Sequence, residues 1–230
     1  AAAELPEPDD RRIFTLQEGS GIDFTWGALN AANRALFAVG GDSLGESRVD
    51  YLRGDRSGEQ GRGGSFRDRS TILGDIINSD PVYVGRQDYG YGAASGLTQT
   101  ERERYAAFLS STLVTGRPPM LYVGANDGML HGFRASDGVE TMAYVPVSLL
   151  GGLAPLTQTG YAHRYYVDGS PRVGDAYLNG DWKTVLLGST GAGGKAVFAI
   201  NVTNPADMVA SNVMWEFNVS SNAEMGVALS

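Results

Sequence analysis

The chain offers few residues that could carry catalysis. It has no cysteine, and its two histidines are His131 and His163. Without cysteine, thiolate metal sites, cysteine nucleophiles and disulfides are excluded. His131 lies within a β-rich run, which predicts a packed or hydrogen-bonded imidazole, whereas His163 lies in a tyrosine-rich segment, which predicts a polar residue at the rim. Neither has the sequence context of a serine-hydrolase triad, so no catalytic residue is predicted.

A glycine-rich stretch from Gly188 to Ala196 contains Gly194-Lys195 and invites comparison with a phosphate-binding loop. Such a loop requires Ser or Thr after the lysine to hold magnesium, and a helix must follow it. Here Ala196 follows the lysine and β-rich runs flank the stretch. The sequence therefore predicts a hairpin turn with no nucleotide site.

Arg53-Gly54-Asp55 is the tripeptide that integrins recognise, so these three residues are a candidate receptor-binding site. The alternative is structural: an Arg–Asp pair would hold the surrounding loop on the domain. We favour the structural interpretation, because a tripeptide often occurs by chance.

The net charge disfavours a nucleic-acid partner, and the hydropathy does not predict a transmembrane segment. The chain has 26 Asp and Glu against 18 Lys and Arg, which disfavours nucleic acid because phosphates require excess cations. No apolar run approaches the roughly 20 residues that span a bilayer, so the chain is not expected to be membrane-spanning. It begins without Met and without a secretory signal in residues 1–12, and we interpret it as a segment of a longer protein.

Two imperfect repeats predict the fold. Each contains four short β-rich runs separated by Gly, Asn-Asp-Gly or Pro, the residues that tight turns need. The runs are 80–85, 120–124, 129–134 and 140–145 in the first repeat, and 171–177, 182–188, 195–200 and 213–217 in the second. Repeats of this kind are typical of β-propeller blades. We therefore predict an all-β partial propeller with antiparallel blades at 80–145 and 161–218, and a further blade beginning at 225–230.

The remaining segments are expected to be accessory. Residues 1–24 are predicted to be a linker or disordered. In residues 25–79, the period of apolar residues at 26–37 predicts a helix. The stretch 48–69 has six Arg against four acidic residues and predicts a solvated, salt-bridged loop packed on the propeller. Thr98 followed by Glu101 predicts an insertion helix up to about Ser111, and residues 161–167 are predicted to add an edge strand.

Four motifs resemble those of the type IV pilus tip adhesin and biogenesis factor family, the PilY/PilC type. They are Val49–Asp55, Phe66–Pro81, His163–Pro171, and Trp182–Gly188 leading to Gly193-Gly194-Lys195 and Asn201–Pro205, in the family's order. The resemblance implies a C-terminal propeller of the modified, quinoprotein-dehydrogenase-like kind. It also implies a noncatalytic protein that acts in pilus assembly, control of retraction and adhesion. Its partners would be minor pilins, the pilus tip complex and a host-cell receptor or surface. It would be located at the pilus tip, or in the periplasm or outer membrane during assembly.

The family's calcium switch is an Asp/Asn-rich loop whose oxygen ligands suit a hard cation. We find no such alternation of ligands in this chain, so no cofactor or metal site is assigned to it. Calcium is expected only from the resemblance, through a loop beyond Ser230.

Two other functions stay open. Propellers with similar turns include quinone-cofactor dehydrogenases, and cofactor absorbance of the purified protein would reveal such an enzyme. A third interpretation is an envelope assembly scaffold that binds other chains by edge-strand pairing. A pull-down that compares minor pilins with outer-membrane components would distinguish this scaffold from a pilus-tip protein.

Overall fold

The computed structural model describes residues 4–221 and 224–226, and within them the chain forms two β-sheets with short helices between strands. The strands are β1 (Ile13–Gln17), β2 (Ser20–Asp23), β3 (Val82–Val84), β4 (Met120–Gly124), β5 (Leu130–Arg134), β6 (Glu140–Tyr144), β7 (Arg172–Leu178), β8 (Asp181–Ser189), β9 (Ala196–Asn201) and β10 (Val213–Asn218). The α-helices are α1 (Ala31–Ala35), α2 (Gly45–Arg53), α3 (Gln99–Ser110), α4 (Thr112–Thr115) and α5 (Leu150–Leu153).

The two predicted repeats pair internally, as the sequence indicates. Strands β3, β4, β5 and β6 lie side by side and antiparallel in the first sheet, and β7, β8, β9 and β10 do so in the second. Turns that contain Gly or Asn join neighbouring strands of each repeat. Between β7 and β8, Asn179 and Gly180 have φ of 54° and 89°, and this left-handed backbone favours Asn and Gly. The chain is therefore mostly β, with few helices.

The first sheet is larger than predicted, because residues 13–23 belong to it. Strand β1 pairs antiparallel with β2 and parallel with β6, where Ile13 lies opposite Ala143 and Phe14 opposite Tyr144. The expectation that residues 1–24 are a linker or disordered is wrong for this hairpin. Its apolar run Ile13–Leu16 is buried on both sides, and its turn at Glu18-Gly19 lacks the Asn-Gly or Asp-Gly signal.

Two other predicted elements differ. The helix expected at 26–37 is limited to α1, because Asn30 has an extended backbone and its side chain accepts a hydrogen bond from the backbone N–H of Asn33, which starts the helix there. No edge strand forms at 161–167. This segment instead crosses the turn before β5, where the backbone N–H of Tyr166 donates to Asn126 Oδ1 at 3.0 Å.

The insertion helix is confirmed as α3. Thr98 accepts from the backbone N–H of Glu101, and the Glu101 carboxylate accepts from Thr98 in return, which is the predicted capping box. The helix packs on the second sheet, where Trp182 Nε1 donates to Glu101 O at 2.9 Å. At 12 residues, α3 is the longest helix among the described residues, and none of their helices is long and apolar enough to span a bilayer.

One hydrophobic core joins the two sheets. The ring of Tyr144 in β6 lies 4.8 Å from that of Phe198 in β9, and both side chains are buried. The Tyr144 hydroxyl donates to Glu216 Oε2 at 2.8 Å, and Glu216 also accepts from the backbone N–H groups of Val147 and Ser148. These contacts fix β10 against the end of β6.

The opposite side of the second sheet has an open face, formed by Leu187, Val197, Trp215 and Phe217. Leu187 and Trp215 both pair with Ala199, and Phe217 pairs with Val197, so the four side chains share one side of the sheet. Leu187, Trp215 and Phe217 are 47%, 43% and 41% exposed.

The predicted strand at 225–230 lies mostly outside the described residues, and Met225 and Gly226 are not in a strand.

Candidate functional site

Four charged side chains form a buried chain of contacts, here called the ionic row. Arg11 donates through Nε to Glu140 Oε2 at 2.6 Å and through Nη2 to Oε1 at 2.8 Å. His131 Nδ1 lies 2.7 Å from Glu140 Oε1, and its Nε2 lies 3.1 Å from both oxygens of Asp127. Because both ring nitrogens face carboxylates, the geometry calls for an imidazolium that donates twice. Two cations and two anions then balance.

The fold brings these four residues together from separate elements. His131 is in β5, Glu140 begins β6, Asp127 lies in the turn between β4 and β5, and Arg11 precedes β1. The buried, hydrogen-bonded His131 agrees with the sequence prediction. Arg11 was not predicted, because its partner Glu140 is 129 residues away in sequence and no local pattern indicates the contact.

The electrostatics favour the charged states of Asp127, His131 and Glu140. Burial alone would lower the pKa of His131, but Asp127 and Glu140 outweigh it and raise that pKa to about 9. Burial alone would likewise raise the pKa of Glu140, and Arg11 and His131 overcome it so that the pKa falls below its usual value. The ionic row is therefore a charged, structural element at neutral pH.

The raised pKa of His131 predicts a pH dependence of stability. The value of about 9 in the folded protein exceeds 6.5, so the stabilisation is complete below about pH 6.5 and is lost as pH rises through about 9. We expect the free energy of unfolding to fall between pH 7 and pH 9.5. Urea titrations at each pH measure it, and His131→Gln, which cannot titrate, should remove most of the slope. An equal slope in wild type and variant would contradict this assignment.

A cleft of about 340 Å³ adjoins the Asp127 end of the ionic row. It is bounded by the loop 67–75, the turn at 126–127 and the segment 156–163. At its rim His163 Nε2 lies 2.8 Å from Asp75 Oδ2, and both side chains are about half exposed. The prediction that His163 is a polar rim residue agrees with this position. Asp127 Oδ2 accepts from the backbone N–H of Gly74, which joins loop and turn.

Two side chains of the cleft, Arg67 and Asn126, have N–H donors for which the described structure gives no acceptor. Arg67 donates through Nε to Leu156 O at 3.1 Å, and its guanidinium lies 4.9 Å from the ring centroid of Tyr161. Asn126 is 3% exposed, and within the described part of the chain its Nδ2 has no hydrogen-bond partner. A buried donor without an acceptor is costly, since it has lost its water.

The tripeptide at 53–55 lies where α2 ends. Arg53 is buried, and its guanidinium donates to the carbonyl oxygens of Phe24, Pro8 and Arg11 at 3.1, 2.7 and 3.2 Å. Gly54 ends the helix with φ of 119°. Among the described residues Arg53 makes no salt bridge with Asp55, so the proposed Arg–Asp pair is wrong, although Arg53 does hold its segment.

Asp55 accepts from the backbone N–H of Ser57 at 2.9 Å and from its hydroxyl at 2.6 Å. A receptor that reads both charged groups of the tripeptide would require Arg53 to leave its three carbonyl partners. Receptor binding through Arg53, Gly54 and Asp55 stays a prediction.

The arginine-rich stretch 48–69 is more buried than predicted. Arg69 donates to Glu59 at 2.9 Å and to Tyr51 O at 2.6 Å, and its guanidinium stacks 3.5 Å from the Tyr51 ring centroid. Arg48, Arg53 and Arg69 are all buried, so the expectation of a solvated loop is wrong for them. The planar guanidinium has five donors, which can satisfy several backbone carbonyls at once and so allows this burial.

The glycine-rich loop after β8 is a structural turn. Gly191–Gly193 form one 3₁₀ turn between β8 and β9. A Cβ at Gly193 would lie 2.0 Å from Tyr166 O, so a glycine is required for the loop to pack on that segment. This agrees with the prediction of a hairpin connection.

The described residues, 4–221 and 224–226, contain no group of three or more His, Asp or Glu side chains arranged to hold a metal ion. The ionic row does not fit one either, because its carboxylates are already occupied by Arg11 and His131. Calcium binding elsewhere in the parent protein stays a prediction.

Comparison with known proteins identifies relatives of the whole fold. The family model described as the PilY1 beta-propeller domain matches residues 73–227. The type IV pilus biogenesis factor PilY1 of Pseudomonas aeruginosa strain PAK is 43% identical over 227 residues, covering 94% of this chain and 19% of the relative. A PilY1 homologue of Xylella fastidiosa is 42% identical over 208 residues, covering 89% of this chain and 14% of the relative.

The crystal structure of the P. aeruginosa PilY1 C-terminal domain is similar with 39% sequence identity and a TM-score of 0.47, covering 64% of this chain and 27% of that one. This chain spans less than a fifth of the length of the two curated relatives. The family match extends over more than half of the chain and coincides with both repeats of four strands. The chain therefore belongs to the PilY1 β-propeller domain family.

Proposed function

We propose that the chain is a noncatalytic part of the propeller of a type IV pilus biogenesis factor. The match of residues 73–227 to the PilY1 propeller family carries this proposal. The relatives are named type IV pilus biogenesis factors, and the resemblance of four ordered motifs points the same way. The parent protein would assemble pili with minor pilins and the tip complex, oppose retraction, and bind surfaces or host cells from the pilus tip. Calcium control would come from a loop beyond Ser230.

A genetic experiment tests the pilus role. Deleting the gene for the parent protein should reduce the number of surface pili and the attachment of cells, and the wild-type gene should restore both. A gene that lacks the codons for residues 13–218 should not restore them. Sheared pili measured by immunoblot, and attachment normalised to pilus number, separate assembly from adhesion. Normal piliation in the deletion strain would refute the proposal.

The two sheets are proposed to be neighbouring propeller blades. Within each repeat the four strands pair in consecutive order, β3 to β6 and β7 to β10, and successive blades of a propeller pack face to face. The open face of the second sheet is apolar, as the buried face of a blade is. The curated relatives are much longer than this chain, and in a parent protein of similar length further residues would cover this face. We propose that a following blade packs on Trp215 and Phe217.

Trp215→Ser measures whether this face is covered. In the isolated chain Trp215 is 43% exposed, so the change should alter the melting temperature little. In the full-length protein the same change should cost about 2 kcal/mol, because a large side chain buried between blades is lost. Tyr83→Ser, at an exposed position of β3 on the other sheet, is the matched control. Equal small losses in both forms would show that no blade covers Trp215.

A further inference from the structure

We propose that Asn179 is a deamidation site, at which the backbone nitrogen of Gly180 attacks the side-chain amide and water completes the conversion to aspartate and isoaspartate. The site is separate from the pilus role, which could hold without it. The proposal rests on which asparagines have a free side chain and a following residue that can attack it.

Asn179-Gly180 is the Asn-Gly dipeptide of this chain. It forms the tip of the hairpin between β7 and β8, where Leu178 pairs with Asp181, and the side chain of Asn179 is exposed. Gly180 has no side chain to obstruct the approach of its nitrogen to the neighbouring amide. The reacting amide is also in contact with the water that the reaction consumes.

Hydrogen bonds protect other asparagines of the described residues. A side-chain amide that is held by a hydrogen bond must break it before Cγ can turn toward the following nitrogen. Such bonds hold the side chains of Asn30, Asn33, Asn78, Asn126, Asn201, Asn212 and Asn218. In the described structure the side chain of Asn204 makes none, but Pro205 follows it and has no N–H to lose. Within residues 4–221, Asn179 thus combines a free side chain with a following N–H.

The exposed turn at Asp137-Gly138, between β5 and β6, is the nearest comparison. An aspartate can form the same ring, but the Asp137 carboxylate lies 2.8 Å from Arg134 and accepts from the backbone N–H of Val139. The hydrogen bond from Arg134 lowers the pKa of Asp137 and so favours the anion. Because an anion is a poor target for a nucleophile, this turn should react more slowly than Asn179-Gly180.

The reaction needs water as its co-reactant. The Gly180 nitrogen loses its proton to water or hydroxide and bonds to Asn179 Cγ, while the bond from Cγ to Nδ2 breaks and ammonia leaves. The succinimide ring that results then takes up one water. Opening at Cγ leaves aspartate, whereas opening at the main-chain carbonyl carbon leaves isoaspartate, in which the main chain runs through Cβ and Cγ. Because the attacking nitrogen must lose a proton, the rate should rise with pH.

Deamidation would change the contact between the hairpin and α3. Arg104 in α3 donates through Nη1 to Gly180 O. Isoaspartate adds a methylene group to the main chain at the tip and displaces that oxygen, so the contact should be lost. Helix α3 keeps the hydrogen bond from Trp182 to Glu101 O, and it should therefore loosen only near Arg104.

Peptide mapping of the complete folded chain by mass spectrometry tests the proposal. After incubation at mildly alkaline pH, we expect the amide of Asn179 to become an acid about tenfold faster than that of any other described asparagine. Labelling with an isoaspartyl methyltransferase should detect isoaspartate at the same position. Asn179→Gln should abolish the conversion, because glutamine would have to form a larger ring. Asn212→Gln, which changes a hydrogen-bonded asparagine, should leave the conversion at Asn179 unchanged.

Three outcomes overturn parts or all of the proposal. If Asn179 stays unconverted while the denatured chain converts there, the hairpin holds Cγ and the Gly180 nitrogen apart and the site is refuted. Faster conversion at another described asparagine would show that free side chains do not select the site. Unchanged hydrogen exchange near Arg104 in the converted chain would refute the loss of the α3 contact.

The map of the wild-type chain decides even if Asn179→Gln fails to fold, which a thermal melt would show. None of these results bears on piliation, so failure of this site and failure of the pilus role are distinguishable.

Discussion

Replacing Glu140 by Ala should lower the free energy of unfolding by about 3–5 kcal/mol. Glu140 is the shared anion of Arg11 and His131 in the ionic row, and its carboxylate accepts from both at 2.6–2.8 Å. Its loss leaves two buried cations with one remaining carboxylate, Asp127. A buried charge without its partner is expensive because neither water nor a counter-ion solvates it. Urea unfolding followed by circular dichroism measures the change.

The matched control is Asp137→Ala. Asp137 also accepts from an arginine, Arg134, at 2.8 Å, but both side chains are exposed. Water replaces an exposed partner, so this variant should change stability little. A Glu140→Ala variant as stable as Asp137→Ala would show that the ionic row does not stabilise the fold.

Replacing Arg53 by Ala should cost about 3 kcal/mol, because three carbonyl oxygens lose a buried, charged donor. Those of Phe24 and Arg11 flank the β1–β2 hairpin, and that of Pro8 precedes it, so the hairpin should loosen in the variant. Urea unfolding gives the loss of stability. Hydrogen exchange of the amides in β1 and β2 should quicken before exchange elsewhere.

Asp55→Ala is the companion variant within the same tripeptide. It removes the contacts with Ser57 and should cost about 1 kcal/mol. Measuring cell binding beside thermal unfolding separates the two interpretations of Arg53-Gly54-Asp55. Abolished host-cell binding by Asp55→Ala with an unchanged melting temperature would favour direct receptor recognition, whereas a lowered melting temperature with binding retained would favour the structural role.

Local signals explain the parts of the fold that the sequence predicts well. Both four-stranded repeats have turn residues at their strand ends, such as Asn179-Gly180, and such turns join neighbours in the chain. The capping box at Thr98 and Glu101 is also local. The β1–β2 hairpin has a weak turn signal, and its place in the sheet depends on β6, whose residues are about 130 positions away. No pattern within one segment could indicate that pairing.

The candidate sites also depend on contacts between distant segments, which the sequence does not indicate. The burial of His131 follows from its apolar strand, but its raised pKa depends on Asp127 and Glu140 in three dimensions. The cleft combines residues of three segments, among which Arg67, Asn126 and Tyr161 are far apart in sequence. Arginine content predicted a solvated loop, yet backbone carbonyls from other segments satisfy Arg53 and Arg69 inside the protein. Composition does not reveal where such partners will lie.

The parallel pairing of β1 with β6 determines the order in which the first sheet can be completed. Phe14 meets Tyr144 only after residues 140–144 have been synthesised, so the early hairpin must wait for a partner strand made much later. Closing so long a loop costs chain entropy before any contact offsets it, which slows folding. Until β6 arrives, the apolar residues of β1 lack their partner strand, and unpaired apolar strands of this kind favour aggregation with other chains.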